Sequence, residues 1–262
     1  MRNRLTLSVL TASFVLSACT SSPTGRNQLL LFSDQDMGQL GAQSFEQMKQ
    51  SQPISKDAKT NAYVQCVANN VTKHLPNQYN PANWEVVVFD SAQVNAFALP
   101  GGKIGVYTGL LKVAENQDQL ATVIGHEIAH VLADHSNERL SQSQLANTGL
   151  QITSIALGSS EYATYHNTAM AALGLGVQYG ILMPYGREQE SEADIFGLDL
   201  MAKAGFDPKQ SINLWQNMAK ASGGHQPPEL LSTHPSHQTR IQDLTDTINS
   251  LPNYQTARPN CS

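Results

Sequence analysis

The sequence predicts an α+β fold, mainly helical, and three observations carry that reading. Apolar residues recur at helical intervals early, over residues 34–74, and again late, beyond residue 188. A β-branched run and a Pro-Gly-Gly turn are confined to residues 84–107, enough for a small sheet or hairpin and no more. At 262 residues the chain can bury one sizeable core rather than two, and it carries no visible internal repeat.

The elements follow in order. MRNRLTLSVLTASFVLSAC sets Arg2 and Arg4 before an apolar run from Leu5 to Ala18, the layout of a secretion signal and too short to span a bilayer. Leu16-Ser17-Ala18-Cys19 resembles a bacterial lipobox. That resemblance implies removal of residues 1–18 and lipid on Cys19, with the protein anchored in the periplasm. Thr20, standing where an aspartate would retain the protein, points to the outer membrane. Removing residues 1–18 takes two arginines and no acid, moving the formal charge from −5 to −7 and arguing against nucleic acid as a partner. Residues 19–33 then read as a polar, lipid-anchored tether and residues 34–262 as a single domain. With Cys19 acylated, Cys66 and Cys261 remain as an even pair in an oxidising space; a disulfide, two free thiols and an intermolecular bridge are all open.

Met37, Leu40, Phe45 and Met48, then Ala62, Val64, Val67 and Val71, predict two helices separated at Pro53. WEVVVF at 84–89 predicts a strand. Residues 95–99 and 103–107 predict a hairpin about Pro100-Gly101-Gly102, where proline presets one turn dihedral and glycine permits the positive one. A long helix is expected over residues 118–145. Residues 147–184, rich in Ala, Gly, Leu and Ile, read as buried helix or loop beside the cleft; GLGVQYG within them has the wrong glycine spacing for a dinucleotide loop. Three more helices are predicted over 188–204, 208–221 and 236–251.

The long central helix carries GHEIAHVLADH at 125–135. Positions four apart lie one above the other on a helix, so His126 and His130 can aim both imidazoles at one point. Glu127, about 100° round the axis, can reach a water beside that point without binding the metal itself. That division suits hydrolysis, with a zinc ion as Lewis acid and the carboxylate as base. A catalytic zinc needs a third protein ligand. The long metzincin pattern would want glycine and histidine where Ala133 and Ser136 stand, and a thermolysin-like spacing falls on Leu150 and Gln151. Later acids, Glu190, Glu192 and Asp194, lie on a predicted helix.

GHEIAHVLADH, followed by ESEADIFG at 190–197, AGFDP at 204–208 and LSTHPSHQTRI at 231–241, resembles the zinc metallopeptidase family of CAAX prenyl endopeptidase, the mitochondrial protease Oma and the BepA/LoiP-type periplasmic proteases. The resemblance covers residues 35–250 in order and points to the small outer-membrane lipoprotein branch of that family. It implies a gluzincin-type domain holding one zinc ion through His126, His130 and Glu190, with Glu127 as base and Asp194 orienting a ligand histidine. His234 and Arg240 match the late active-site motif, which implies that they stabilise the oxyanion, a helix cap or a structural ion pair being the other reading of each; His234 is also expected to take the fourth zinc position at rest. Glu192 is expected at the surface, solvated or salt-bridged, and His135 falls one residue out of register for ligation.

Asn95-Ala96-Phe97-Ala98 resembles the family's edge strand along the cleft, which would recruit extended polypeptide through main-chain hydrogen bonds. The expected activity is therefore zinc-dependent endoproteolysis of unfolded or misassembled envelope proteins. The rival is a zinc-containing chaperone or assembly factor for outer-membrane proteins, working with the outer-membrane assembly machinery. Residues 136–187 are a candidate for a segment that holds the enzyme latent.

Overall fold

Alternation along three short strands divides the molecule. In the computed structural model, which describes residues 19–79, 84–145, 186–221, 234 and 239–261, β3 (Glu85–Phe89), β4 (Ala96–Leu99) and β5 (Lys103–Tyr107) form one sheet in the order β3-β5-β4. The hairpin expected about Pro100-Gly101-Gly102 is present, with Ala98 opposite Ile104. The parallel pairing of β3 with β5 was not legible in the sequence, because nothing local specifies which strand a run of valines will join. Side chains alternate between the two faces. Phe89, Phe97, Leu99 and Tyr107 pack with Phe45 of α1 (Asp34–Ser51) on one side. Val88, Ala96, Ala98, Ile104 and Val106 enter the main core on the other.

That main core is built around α3 (Gln117–Leu132), whose first turn is capped by the Asn116 side chain accepting from the Asp118 and Gln119 N–H groups. Leu120, Ile124 and Ile128 of α3 are fully buried against Val64, Val67 and Val71 of α2 (Ala58–Thr72) and Leu214 and Met218 of α6 (Gln210–Ala221). The remaining helices are α4 (residues 135–145), α5 (Arg187–Lys203) and α7 (Arg240–Ser250). The α+β class is as expected. The most intimate helix contact is between α3 and α5. A Cβ on Gly197 would lie 2.7 Å from the His126 nitrogen, and one on Gly125 would lie 2.8 Å from the Gly197 carbonyl oxygen, so neither position admits a side chain without parting the helices.

Two expectations are corrected here. The predicted helix over 118–145 is two helices, α3 and α4, broken at Ala133 and at Asp134, which has φ 52°. No glycine or proline announces that break, so the apolar period ran through it. Residues 19–33 are not a free tether: β1 (Cys19–Ser21) pairs antiparallel with β2 (Asn27–Leu29), and the hairpin docks on the body. Within it Arg26 reaches Glu138 of α4 at 2.6 Å, and the Gln28 amide donates to the Ala133 carbonyl at the helix break.

At the other end of the chain the Cys66–Cys261 disulfide closes, so of the three open readings the intramolecular bond is the one found. The tail before it lies across the start of α3: Gln117 donates to the Pro259 carbonyl, and Arg258 pairs with Asp118. No helix among the described residues is long and apolar enough to cross a membrane. The signal segment 1–18 and the Ala/Gly-rich stretch 147–184 lie outside the described residues, as do His166, His225 and His237.

Candidate metal centre

His126 and His130 lie on consecutive turns of α3, and the close α3–α5 approach brings Glu190 and Asp194, one turn apart on α5, directly beneath them. His126 Nε2 stands 3.0 Å from His130 Nε2 and 3.5 Å from Glu190, and His130 Nε2 is also 3.5 Å from Glu190. His234 completes the group, its Nδ1 lying 2.9 Å from Glu190 and 3.2 Å from His126 Nε2. One donor atom from each of the four residues falls within 4.8 Å of all the others, and all four side chains are buried.

Around this group the charges are arranged with few exceptions to satisfy one another. His126 Nδ1 is 3.0 Å from Asp194, whose carboxylate accepts from Arg240 at 2.8 Å. The Arg240 guanidinium also donates to Glu190 at 3.1 Å, and it stacks 3.6 Å from the centre of the Trp215 ring. Burial lowers His126, but hydrogen bonds to Asp194 and Glu190 outweigh it and carry the imidazole up to about 10. Burial holds His130 well below the usual histidine range, which favours the neutral ring that a cation requires. Glu190 is opposed by burial yet driven far below the carboxylate range by His234, His126 and His130.

Arg240 Nε, buried without a hydrogen-bond partner among the described residues, is one exception, and Glu127 is the other. Its Oε1 is buried with no hydrogen-bond partner among the described residues, and His234 Nε2 is 3.3 Å away outside hydrogen-bonding geometry. Burial pushes this carboxyl above its ordinary range. The Ala98 main-chain N–H faces it from β4 and donates to it. The Asn95 carbonyl accepts from Tyr107 of β5, so by the two-residue alternation of an antiparallel ladder Phe97 and Leu99 also turn their polar groups inward, while Ala96 and Ala98 turn theirs to the free edge. At that edge the Ala96 N–H is taken by the Asn95 side chain. An apolar pocket lined by Val123, Leu214, Trp215 and Met218 opens beside Glu127 and His234.

The chain matches the model of peptidase family M48 over residues 58–248. It belongs to that family. Similar proteins include the mitochondrial metalloendopeptidase OMA1 of Bos taurus, 36% identical over 242 residues, covering 86% of this chain and 45% of that one. Another is the beta-barrel assembly-enhancing protease of Escherichia coli O157:H7, 28% identical over 252 residues, covering 94% of this chain and 51% of that one. The chain thus spans about half the length of the curated relatives it matches. Three imidazole nitrogens and one carboxylate oxygen, converging in a buried site, suit one zinc ion.

Of the residues predicted from sequence, His126, Glu127, His130, Glu190, Asp194 and His234 meet at this centre. Of the alternatives open for Arg240, the structure shows the ion pair. The residue is 2% exposed, with its fork behind Glu190 and Asp194, where it braces the carboxylates. Asn95 precedes β4 instead of lying in it, and Asn95, Ala96, Phe97 and Ala98 are all buried, so only the outward main-chain groups of this segment border the site. Glu192, expected at the surface, is 3% exposed. Its carboxylate accepts from Thr24 and Arg26 of the N-terminal hairpin and stands 3.1 Å from His135 Nε2. His135, given no role by sequence, places its Nδ1 2.8 Å from His130 Nδ1. A continuous helix would have turned His135 away, and the break at Asp134 turns it in.

Proposed function

We propose that the chain is a zinc-dependent endopeptidase that cuts extended or unfolded segments of bacterial envelope proteins. One observation carries this reading: a buried carboxylate oxygen on Glu127, unpaired among the described residues, beside a converging His126–His130–Glu190 set. A site built only to retain metal has no use for such a base. In this reading His126, His130 and Glu190 hold the ion, which when bound acts as a Lewis acid toward the scissile carbonyl and a water molecule. Glu127 takes the proton from that water and returns it to the departing amine, a task suited by its raised affinity for protons. The Ala96 and Ala98 carbonyls offer main-chain hydrogen bonds to a substrate strand, which asks little of side-chain identity and so favours unfolded chains.

His234 closes the site at rest. Its Nδ1 belongs to the donor group while its Nε2 faces Glu127, so one residue would supply a further donor to the ion and covers the base. Substrate displaces it, and the released imidazole is then free to meet the oxyanion. The lipobox-like LSAC and the Cys66–Cys261 bond support an oxidising, membrane-anchored location, the outer membrane facing the periplasm. The similarity to a beta-barrel assembly-enhancing protease supports misassembled outer-membrane proteins as clients.

Cleavage of a loosely folded protein such as casein by wild type and by Glu127→Gln, with zinc content measured in both, tests the reading. Activity is expected to fall by about 10²- to 10⁴-fold with zinc retained. Equal, negligible cleavage by both proteins at full zinc occupancy would favour a zinc-containing chaperone instead.

A further inference from the structure

Both ligand histidines on α3 have a ring nitrogen that turns away from the metal group, and the two are met differently. A histidine that gives one nitrogen to a cation donates the N–H of the other, and what receives that proton fixes the ring's orientation and its strength as a ligand. For His126 the receiver is the Asp194 carboxylate. For His130 it is a second imidazole. With His130 Nε2 in the donor group, its Nδ1 carries hydrogen and donates to His135 Nδ1, 2.8 Å away. His135 must then carry its own hydrogen on Nε2, which faces Glu192 at 3.1 Å. The direction of every bond in the chain is thereby set: His130 donates to His135, and His135 donates to Glu192.

Glu192 is in turn held from outside the helical body. Thr24 Oγ1 donates to it at 2.7 Å, the Thr24 N–H at 3.2 Å and Arg26 Nε at 3.2 Å. Arg26 also forks onto Glu138 at 2.6 and 2.8 Å, and Glu138 accepts from Gln28 and from Gln189 of α5. His135 is fully buried, Glu192 and Glu138 nearly so, which is where a fixed proton donor and acceptor matter most. The β1–β2 hairpin is therefore the far anchor of a line of hydrogen bonds ending on a metal ligand.

We propose that Glu192, acting through His135, positions His130 for zinc, and that the N-terminal hairpin sets this position through Thr24 and Arg26. The inference rests on the reading of His130 as a zinc ligand, and it assigns His135 and Glu192 as positioning residues that touch neither substrate nor metal. It makes metal affinity depend on whether residues 19–29 are docked.

The test is zinc affinity of the full chain by competition with a chromophoric chelator, paired with the visible absorption spectrum of the cobalt-substituted protein. Circular dichroism and melting establish that each variant is folded. His135→Leu and Glu192→Ala are expected to bind zinc ~10- to 100-fold more weakly and to shift the cobalt bands. His135→Asn, which keeps an acceptor near the Nδ1 position, restores most of the affinity. The paired Thr24→Ala and Arg26→Ala change moves both readouts in the same direction by a smaller factor. Where the leucine protein does not fold, Glu192→Gln replaces it and is expected to weaken binding by a few-fold, about 3 to 10. Folded His135 and Glu192 variants that bind zinc within about twofold of wild type, with its cobalt spectrum, would overturn the positioning role even if their melting temperatures fall. An unchanged hairpin variant would overturn the coupling to residues 19–29. A wild-type chain that takes up no zinc would instead overturn the metal site itself.

Discussion

His126 and His130 occupy neighbouring turns of one helix, yet opposite ends of the chain support them. Behind His126 stand Asp194 and Arg240, the latter at the start of α7 and stacked on Trp215. Behind His130 stand His135 and Glu192, braced by the N-terminal hairpin. The first support is short, with a carboxylate touching the ligand and a buried guanidinium touching the carboxylate. The second is longer by one imidazole, and its last link is the turn between two three-residue strands. The C-terminal region is also covalently fastened, because Cys261 bonds to Cys66 on α2 across 195 residues of sequence, whereas the described contacts of the hairpin with α4 and α5 are hydrogen bonds and ion pairs. The difference teaches that two ligands equivalent in the motif need not be equivalent in the protein: one is secured by direct charge and a crosslink, the other by a line of neutral and charged hydrogen bonds that a surface element completes.

Breaking the covalent fastening carries the largest expected effect on stability. Replacing Cys66 and Cys261 by serine should cost about 2–5 kcal/mol, since so long a loop is closed, as measured by urea unfolding without reductant. Adding reductant to wild type should reproduce the loss, and no further loss should appear in the double variant.

Removing the direct carboxylate should come next. Asp194→Ala leaves His126 without its acceptor and Arg240 without one of its two partners, so zinc affinity should fall ~10- to 100-fold. That fall should exceed the one produced by Glu192→Ala, because Glu192 acts through an intervening imidazole. The reverse order in the same chelator assay would mean that the hairpin side is the stronger support.

The smallest effect concerns the helix break that aims His135. Asp134 holds a left-handed backbone, and burial, with some help from the charge of Asp34, raises its carboxyl to about 6. A folded-state value above the unfolded one means that stability is full below the unfolded value and is lost as pH rises through about 6. Asp134→Asn, which tolerates the same backbone, should therefore match wild type near pH 4 and melt higher than it near pH 7. An equal difference at both pH values would show that the carboxyl is not under this strain.

Much of this site could be read from residue types and their spacing. The four-residue interval of His126 and His130 depends only on helix geometry, and Glu190 with Asp194 repeats it on α5. The two-helix start, the strand at 85–89 and the Pro-Gly-Gly hairpin were legible because each is set by local period or turn chemistry. His135 was not, since its direction depends on a break that no glycine or proline marks. Glu192 was read as a surface acid because its partners Thr24 and Arg26 lie 168 and 166 residues away. Arg240 was drawn to the site by its motif, but its fork on Glu190 and Asp194 was not legible, because a motif names a residue without saying which side its guanidinium approaches from.

By itself, then, the sequence determined the chemistry: which side chains can bind a cation, which carboxylate can serve as base, and which segments run as helix or strand. Those follow from covalent structure and short-range periodicity, which neighbours along the chain enforce. Tertiary structure alone decided how each ligand is held, because a proton donor is oriented by whatever acceptor folding brings within about 3 Å, and for His130 that acceptor line ends at the opposite end of the polypeptide.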